Sequence, residues 1–119
     1  MASFYEAVSL HGLIGRADWD DLRWEPFRAG IRVHWLYRTG EGGAEAALLR
    51  YEPGATVPVH EHVGWEHILV LAGSQSDGAG CYEEGALLVS PPGSRHAIAS
   101  PEGCVVLAIW QHPVRIVGE

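Results

Sequence analysis

The chain has 119 residues, 47 % of them hydrophobic, enough to build the core of one ordinary domain but not of two. Fifteen acidic residues against eight basic ones give a net charge of −7 with no run of Arg or Lys, so nucleic acid and anionic membrane surfaces are excluded as partners by repulsion. The longest apolar run, Cys104 to Trp110, is too short to span a bilayer, and no basic stretch precedes an apolar one near the start; the expected compartment is the cytoplasm.

Residues 1–25 read as an N-terminal extension, in which "ADWDDLRW" predicts a short helix opening near Asp18. From residue 26 to 119 the pattern changes to short stretches of Val, Ile, Leu, Trp and Tyr between Gly and Pro punctuation, which predicts an all-β single domain. "IRVHWLYR" alternates, with Ile31, Val33, Trp35 and Tyr37 on one face and Arg32, His34 and Arg38 on the other. "TGEGG" is a loop, "AEAALLRYE" the next strand and "PGATVP" a turn region. "HILVLAG" is a strand and "SQSDGAG" a polar loop. "CYEEGALLVSPPG" is a strand pair closed by a Pro-Pro-Gly turn, and "HAIAS" and "VVLAIWQH" are the last strands. Seven or eight strands so spaced fit a sandwich or a small barrel. Cys81 and Cys104 lack the spacing of a zinc knuckle or redox pair and read as reduced thiols in or near the core.

Chemistry concentrates in "VHEHVGWEH", residues 59 to 67. In a strand, residues two apart project from the same face about 6 to 7 Å apart, so His60 and His62 can meet one ion while Glu61 points away. Glu66 would lie roughly 13 Å further along a straight strand, so Val63, Gly64 and Trp65 must reverse the chain, with Gly64 free to take a positive φ. A hairpin there places Glu66, Ile68 and Val70 on the interior face and His67 on the opposite one. His96, opening a strand after Pro91-Pro92-Gly93, is the further candidate, although a lone histidine after a turn is more often structural. Arg95 beside it faces away from the metal side, and His11, His34 and His112 have no motif context.

Gly54-x5-His60-x-His62-x3-Glu66-x6-Gly73 resembles the first cupin motif at every position. Gly85-x5-Pro91-x-Gly93-x2-His96 resembles the second, and the chain is similar in length to a single cupin barrel. The departure is Ser100, where many cupins carry Asn; that position is not a ligand in the family, so the change bears on packing or pocket polarity. The resemblance implies an RmlC-like jelly-roll barrel of antiparallel strands in which His60, His62, Glu66 and His96 bind one divalent metal. Three imidazoles and a carboxylate suit Fe, Mn, Ni, Cu or Zn, and the ligands do not choose among them. Arg50-x-x-Pro53-Gly54, the H-x-H-x-G-x-E core, "VLAGSQSD", "SPPGSRH" and Ser-Pro-Glu-Gly-Cys further resemble the ChrR-like cupins, the cupin domain of ChrR-type anti-sigma factors.

No His-x3-Cys-x2-Cys precedes the motifs, so neither the N-terminal sigma-binding module nor a sigma-factor partner is expected. What the resemblance implies is a metal cupin with an internal pocket for a small-molecule ligand, substrate or oxidant. Trp35, Tyr37, Tyr51 and Trp110 are the aromatic candidates for its wall. Two functions stay open: a ligand- or oxidant-binding module, or an Fe(II)-dependent dioxygenase cleaving a carbon-carbon bond in a small diketone or hydroxylated aryl ketone. A homodimer joined through the edge of the "IRVHWLY" strand is expected.

Overall fold

A computed structural model describes residues 5–118. Ten strands form the described fold: β1 Glu25–Arg28, β2 Ile31–Arg38, β3 Glu45–Tyr51, β4 Ala55–Glu61, β5 Glu66–Asp77, β6 Gly80–Glu83, β7 Leu87–Ser90, β8 Arg95–Ser100, β9 Cys104–Trp110 and β10 Arg115–Ile116. All pairings are antiparallel, and no described residue is helical. The main path runs β1-β2-β3-β9-β5-β8-β4-β10, with β6 and β7 pairing to β5. The result is a curled antiparallel half-barrel of the cupin jelly-roll kind.

β5 joins the two sheets. Its first half pairs with β7 and β9, and its second half with β6 and, at Ser76, with β8. The register slips between Val70 and Ala72, and Gly73 just beyond has a φ of +72° with the Gly103 carbonyl lying where a Cβ would go. Only glycine permits that approach, and it lets one long strand bend from one sheet into the other. The polar segment expected as a loop at "SQSDGAG" is therefore strand as far as Asp77, and its polar side chains have partners inside the fold: Gln75 is buried against Cys104 and Asp77 bonds to His96.

Two apolar clusters flank the larger sheet. The inner one gathers Ile31, Val33, Leu49, Tyr51, Val70, Val106 and Trp110 between the sheets. On the outer face, Leu48, Leu71 and Val105 are covered by Trp19 with Leu10, Leu13, Leu22 and Trp24. The extension is thus a strap with its own core. It contains no helix: the Trp19 carbonyl accepts from Leu22 N (3.4 Å) and the Trp24 indole (2.8 Å), and Asp18 Oδ1 accepts from Asp20 N (2.8 Å). Those bonds close one turn and stop, and both tryptophans pack in the outer apolar cluster.

Further differences from the sequence pattern have local causes. β2 and β3 slip register between Trp35 and Tyr37, so Tyr37 turns to the outer side and is 41 % exposed. β1 covers the start of the β2 edge, from Ile31 to Val33, and among the described residues His34 to Arg38 have no strand partner on that side. Cys104 is buried as expected, whereas Cys81 on the short β6 is exposed. No described helix is long and apolar enough to cross a membrane.

Candidate metal centre

His60 lies near the end of β4 and His96 at the start of β8, and the two are direct cross-strand partners. A bulge in β4 makes this possible. Val57 pairs with Ile98 and His60 with His96, so β4 spends one extra residue, and Pro58 and Val59 both face out. Val57 and His60 consequently both point inward. His62 follows the strand, its N–H bonded to the Ser94 carbonyl (2.9 Å) and its carbonyl accepting from Gly93 N (2.7 Å).

The chain between His62 and Glu66 crosses over rather than turning back in a hairpin. β4 pairs with β8 and β10, while Glu66 opens β5 on the other sheet, opposite Ser90 and Trp110. Three residues, Val63 to Trp65, separate the two candidate ligands because the chain must span the gap between sheets. Gly64 does not take a positive φ; a Cβ there would meet Gln111 Oε1 and His112 Cδ2 at 2.8 Å, so close packing is what requires glycine.

The four residues converge. One ligand atom from each of His60, His62, Glu66 and His96 lies within 4.8 Å of all the others. Opposite ligands on an ion with bonds of about 2.1 Å would be about 4.2 Å apart, so the cluster is close to the size an ion needs. The ring centroids are 5.2 Å (His60 to His62), 4.6 Å (His60 to His96) and 4.7 Å (His62 to His96) apart, and every pair meets edge to face.

Hydrogen bonds fix the tautomers. Nδ1 of His60 donates to the Pro58 carbonyl (2.9 Å), Nδ1 of His62 to the Ser94 carbonyl (3.1 Å) and hydroxyl (2.8 Å), and Nδ1 of His96 to Asp77 Oδ2 (3.0 Å). A carbonyl or carboxylate can only accept, so each proton sits on Nδ1 and each Nε2 carries a lone pair. Nε2 of His62 and His96 is buried with no hydrogen-bond partner; His62 Nε2 lies 3.1 Å from Glu66 Oε1 without the alignment of a hydrogen bond. The Glu66 oxygen Oε2 accepts from the Trp110 indole (2.7 Å), which leaves Oε1 toward the histidines. Orphaned buried acceptors beside a carboxylate, each held from behind, are the donor set a divalent cation fits. A bound ion of this kind would supply Lewis acidity and open coordination positions.

Electrostatics follow from this packing. Burial lowers the His60 pKa, reinforced by the neighbouring imidazoles. For His62 burial also pulls downward, but the Glu66 carboxylate outweighs it and the net direction is up. Burial would raise Glu66, yet His62, the Trp110 indole and His60 together hold it below the usual carboxylate range. Asp77 is likewise held low against burial by the N–H groups of Ala79 and Gly80, by His96 and by the Tyr82 hydroxyl.

The remaining assignments separate cleanly. Glu61 and Arg95 lie on the far side of β4 and β8, paired with each other (3.2 Å), and His67 is exposed on the outer face. Tyr51 and Trp110 line a chamber of about 40 Å³ together with His60, Glu66 and His96. Trp35 stands outside it, in a vestibule of about 210 Å³, and Tyr37 faces a groove on the opposite side of the sheet. Ser100 is buried and donates to the Ser74 carbonyl (2.6 Å), tying β8 to β5, a packing role. Asp77 and Ser94, which orient two ligands, escape sequence reasoning. Asp77 stands nineteen residues before its partner, and nothing short of the fold brings the two together.

Residues 15–115 match the ChrR Cupin-like domain. The anti-sigma-E factor ChrR of Cereibacter sphaeroides is 33 % identical over 98 residues, which is 81 % of this chain and 45 % of that protein, so the chain spans less than half of its curated relative. The solved structure of Rhodobacter sphaeroides SigE in complex with the anti-sigma ChrR matches at 31 % identity and a TM-score of 0.68, covering 76 % of this chain and 50 % of that chain. A putative acetylacetone dioxygenase from Methylibium petroleiphilum PM1 shares the fold, with a TM-score of 0.78 and 19 % identity over 98 % of this chain and 85 % of its own. With its motifs and its buried histidine and glutamate cluster in place, the chain belongs to the ChrR cupin-like domain family.

Proposed function

We propose that the protein is a metal-dependent binding module: His60, His62, Glu66 and His96 hold one divalent transition metal, and the chamber beside it receives a ligand or oxidant without turnover. The observation that carries this reading is the set of three imidazoles locked as Nδ1–H tautomers, with the Nε2 atoms of His62 and His96 buried and unpartnered near Glu66. Chamber size favours binding over cleavage of a buried diketone. About 40 Å³ is little more than the roughly 30 Å³ share of one water, whereas a cavity near 150 Å³ is needed for a molecule the size of benzene.

Elemental analysis of the purified chain tests the metal, with one equivalent expected. Anaerobic Fe(II) loading followed by O₂ uptake with small β-diketones tests the choice of function: no uptake is expected, and sustained uptake would replace this reading with a dioxygenase. Assembly as a homodimer is part of the proposal, supported by the exposed Leu87, Val89 and Ile109 on the outer sheet face and by the β2 edge that β1 leaves uncovered beyond Val33. Light scattering at micromolar concentration reads it directly.

A further inference from the structure

The wall of the chamber carries an arginine that no part of the metal cluster needs. β1 pairs with β2 through Glu25 to Val33, Pro26 to Arg32 and Arg28 to Ile31, so the register breaks at Phe27. Consecutive residues of a regular strand face opposite ways; the break lets Phe27 and Arg28 both line the chamber that holds His60, Glu66 and His96. The same two residues, with Trp110 and Val114, also border the vestibule, so they stand between the inner space and the outer one.

Arg28 is unlike the other arginines. Arg16, Arg38, Arg50, Arg95 and Arg115 are each paired with a carboxylate, and Arg23 and Arg32 are exposed. Among the described residues, Arg28 is the half-buried arginine without an acidic partner, its guanidinium lying over the Phe27 ring (5.7 Å to the centroid). In a chain with nearly twice as many acidic as basic residues, that is a cation left open. Tyr51, which lines the same chamber, lies in the field of both Glu66 and Arg28. Glu66 cancels only one of the two charges of a divalent ion, so the loaded chamber and Arg28 together leave two positive charges facing apolar walls. An anion balances them at the least desolvation cost.

Size sets the shape of that anion. A planar carboxylate can occupy the inner space, while a ring cannot; the vestibule, walled by Phe27, Trp35, Trp110, Pro113 and Val114 together with Arg38 and Glu45, whose charges are paired with each other, exceeds the roughly 150 Å³ of a cavity that holds benzene. We propose that the ligand is a flat aryl carboxylate whose charged end enters beside Arg28 and whose ring rests in the aromatic vestibule. This rests on the metal reading above and goes beyond it by naming the ligand class and the residue that selects it.

Calorimetric titration of the zinc-loaded full chain with benzoate and with neutral benzamide tests the assignment. Benzoate is expected to bind at least tenfold more tightly. Arg28→Gln should reduce benzoate affinity tenfold or more with benzamide affinity and zinc content unchanged, and Arg28→Lys should restore part of the loss, since it returns the charge without the planar fork. Equal affinities for the two probes, no benzoate binding, or full benzoate affinity in Arg28→Gln would each overturn it. Zinc content is read on the same samples. A wild-type chain that holds no zinc sinks the metal reading, while the benzoate to benzamide ratio and its response at Arg28 still decide the anion site.

Discussion

The two faces of the larger sheet are both buried over much of their area, yet they are built to opposite ends. Ala46, Ala47, Leu48 and Leu49 in β3 are each at most 4 % exposed, so residues pointing both ways are covered. The inward members meet a second sheet whose far wall carries the histidines; the outward members meet a strap of Leu10, Leu13, Trp19, Leu22 and Trp24. Polar atoms inside are held at fixed angles by hydrogen bonds from behind, whereas the outer contact is apolar packing. Burial alone therefore does not locate function in this fold; buried polar atoms with one side deliberately left open do.

Substitutions should split along that line. The largest effect is expected at the ligands: His60→Ala and His96→Ala should each remove most of the bound metal, while His67→Ala, on the outer face, should keep it. Equal metal in all three by elemental analysis would refute the ligand assignment. Acid should produce the same loss in the wild type, because imidazoles must be neutral to ligate and the ordinary histidine pKa is about 6.5. Retention measured across pH 7 to 5 should fall below about pH 6, where protons compete with the ion for the imidazoles.

On the strap, Trp19→Ala should cost about 3 to 5 kcal/mol in denaturant unfolding while the folded fraction keeps its metal; a cost below about 1 kcal/mol would mean that the strap is not part of the cooperative core. Asp77→Asn touches no ligand atom, yet it should weaken metal affinity about 10- to 100-fold by loosening His96. The smallest change is expected at Glu61, which Arg115 and Arg95 hold below the ordinary carboxylate range. A carboxylate with a depressed pKa stabilises the fold above its unfolded pKa, and that contribution disappears as pH falls through the lower folded value. Glu61→Gln should thus lower the melting temperature slightly at neutral pH, and the difference from the wild type should shrink as the pH falls through the depressed folded pKa of Glu61.

Spacing made the ligands legible. His60 and His62 share a face by strand parity, and the motif tied Glu66 and His96 to them, because residues that converge on one point of a fixed fold recur at fixed intervals. The hairpin expected at Val63 to Trp65 was out of reach of such reasoning, since a turn and a crossover between sheets both need a glycine and a few residues. Parity also failed wherever a bulge intervened. Tyr37 left the inner face for this reason and Arg28 reached the chamber wall, and a single extra residue is invisible in an alternation only four residues long. Cys81 and the strap are failures of another kind: whether an apolar or thiol side chain is covered depends on which distant segment lies over it, and local pattern does not carry that information.

His60 and His96 stand on one sheet, with His62 beside them against the turn before β8, and Glu66 stands on the other sheet. An ion shared among them would work as a clasp between the sheets, in the way a disulfide does but reversibly. Its grip adds to folding stability in proportion to the logarithm of metal concentration, about 4 kcal/mol at a thousandfold excess over the dissociation constant. Losing such an ion would leave Glu66 held in its own sheet by the ladders to Ser90 and Trp110, so what loosens is the link across the gap to the histidine sheet rather than β5 itself.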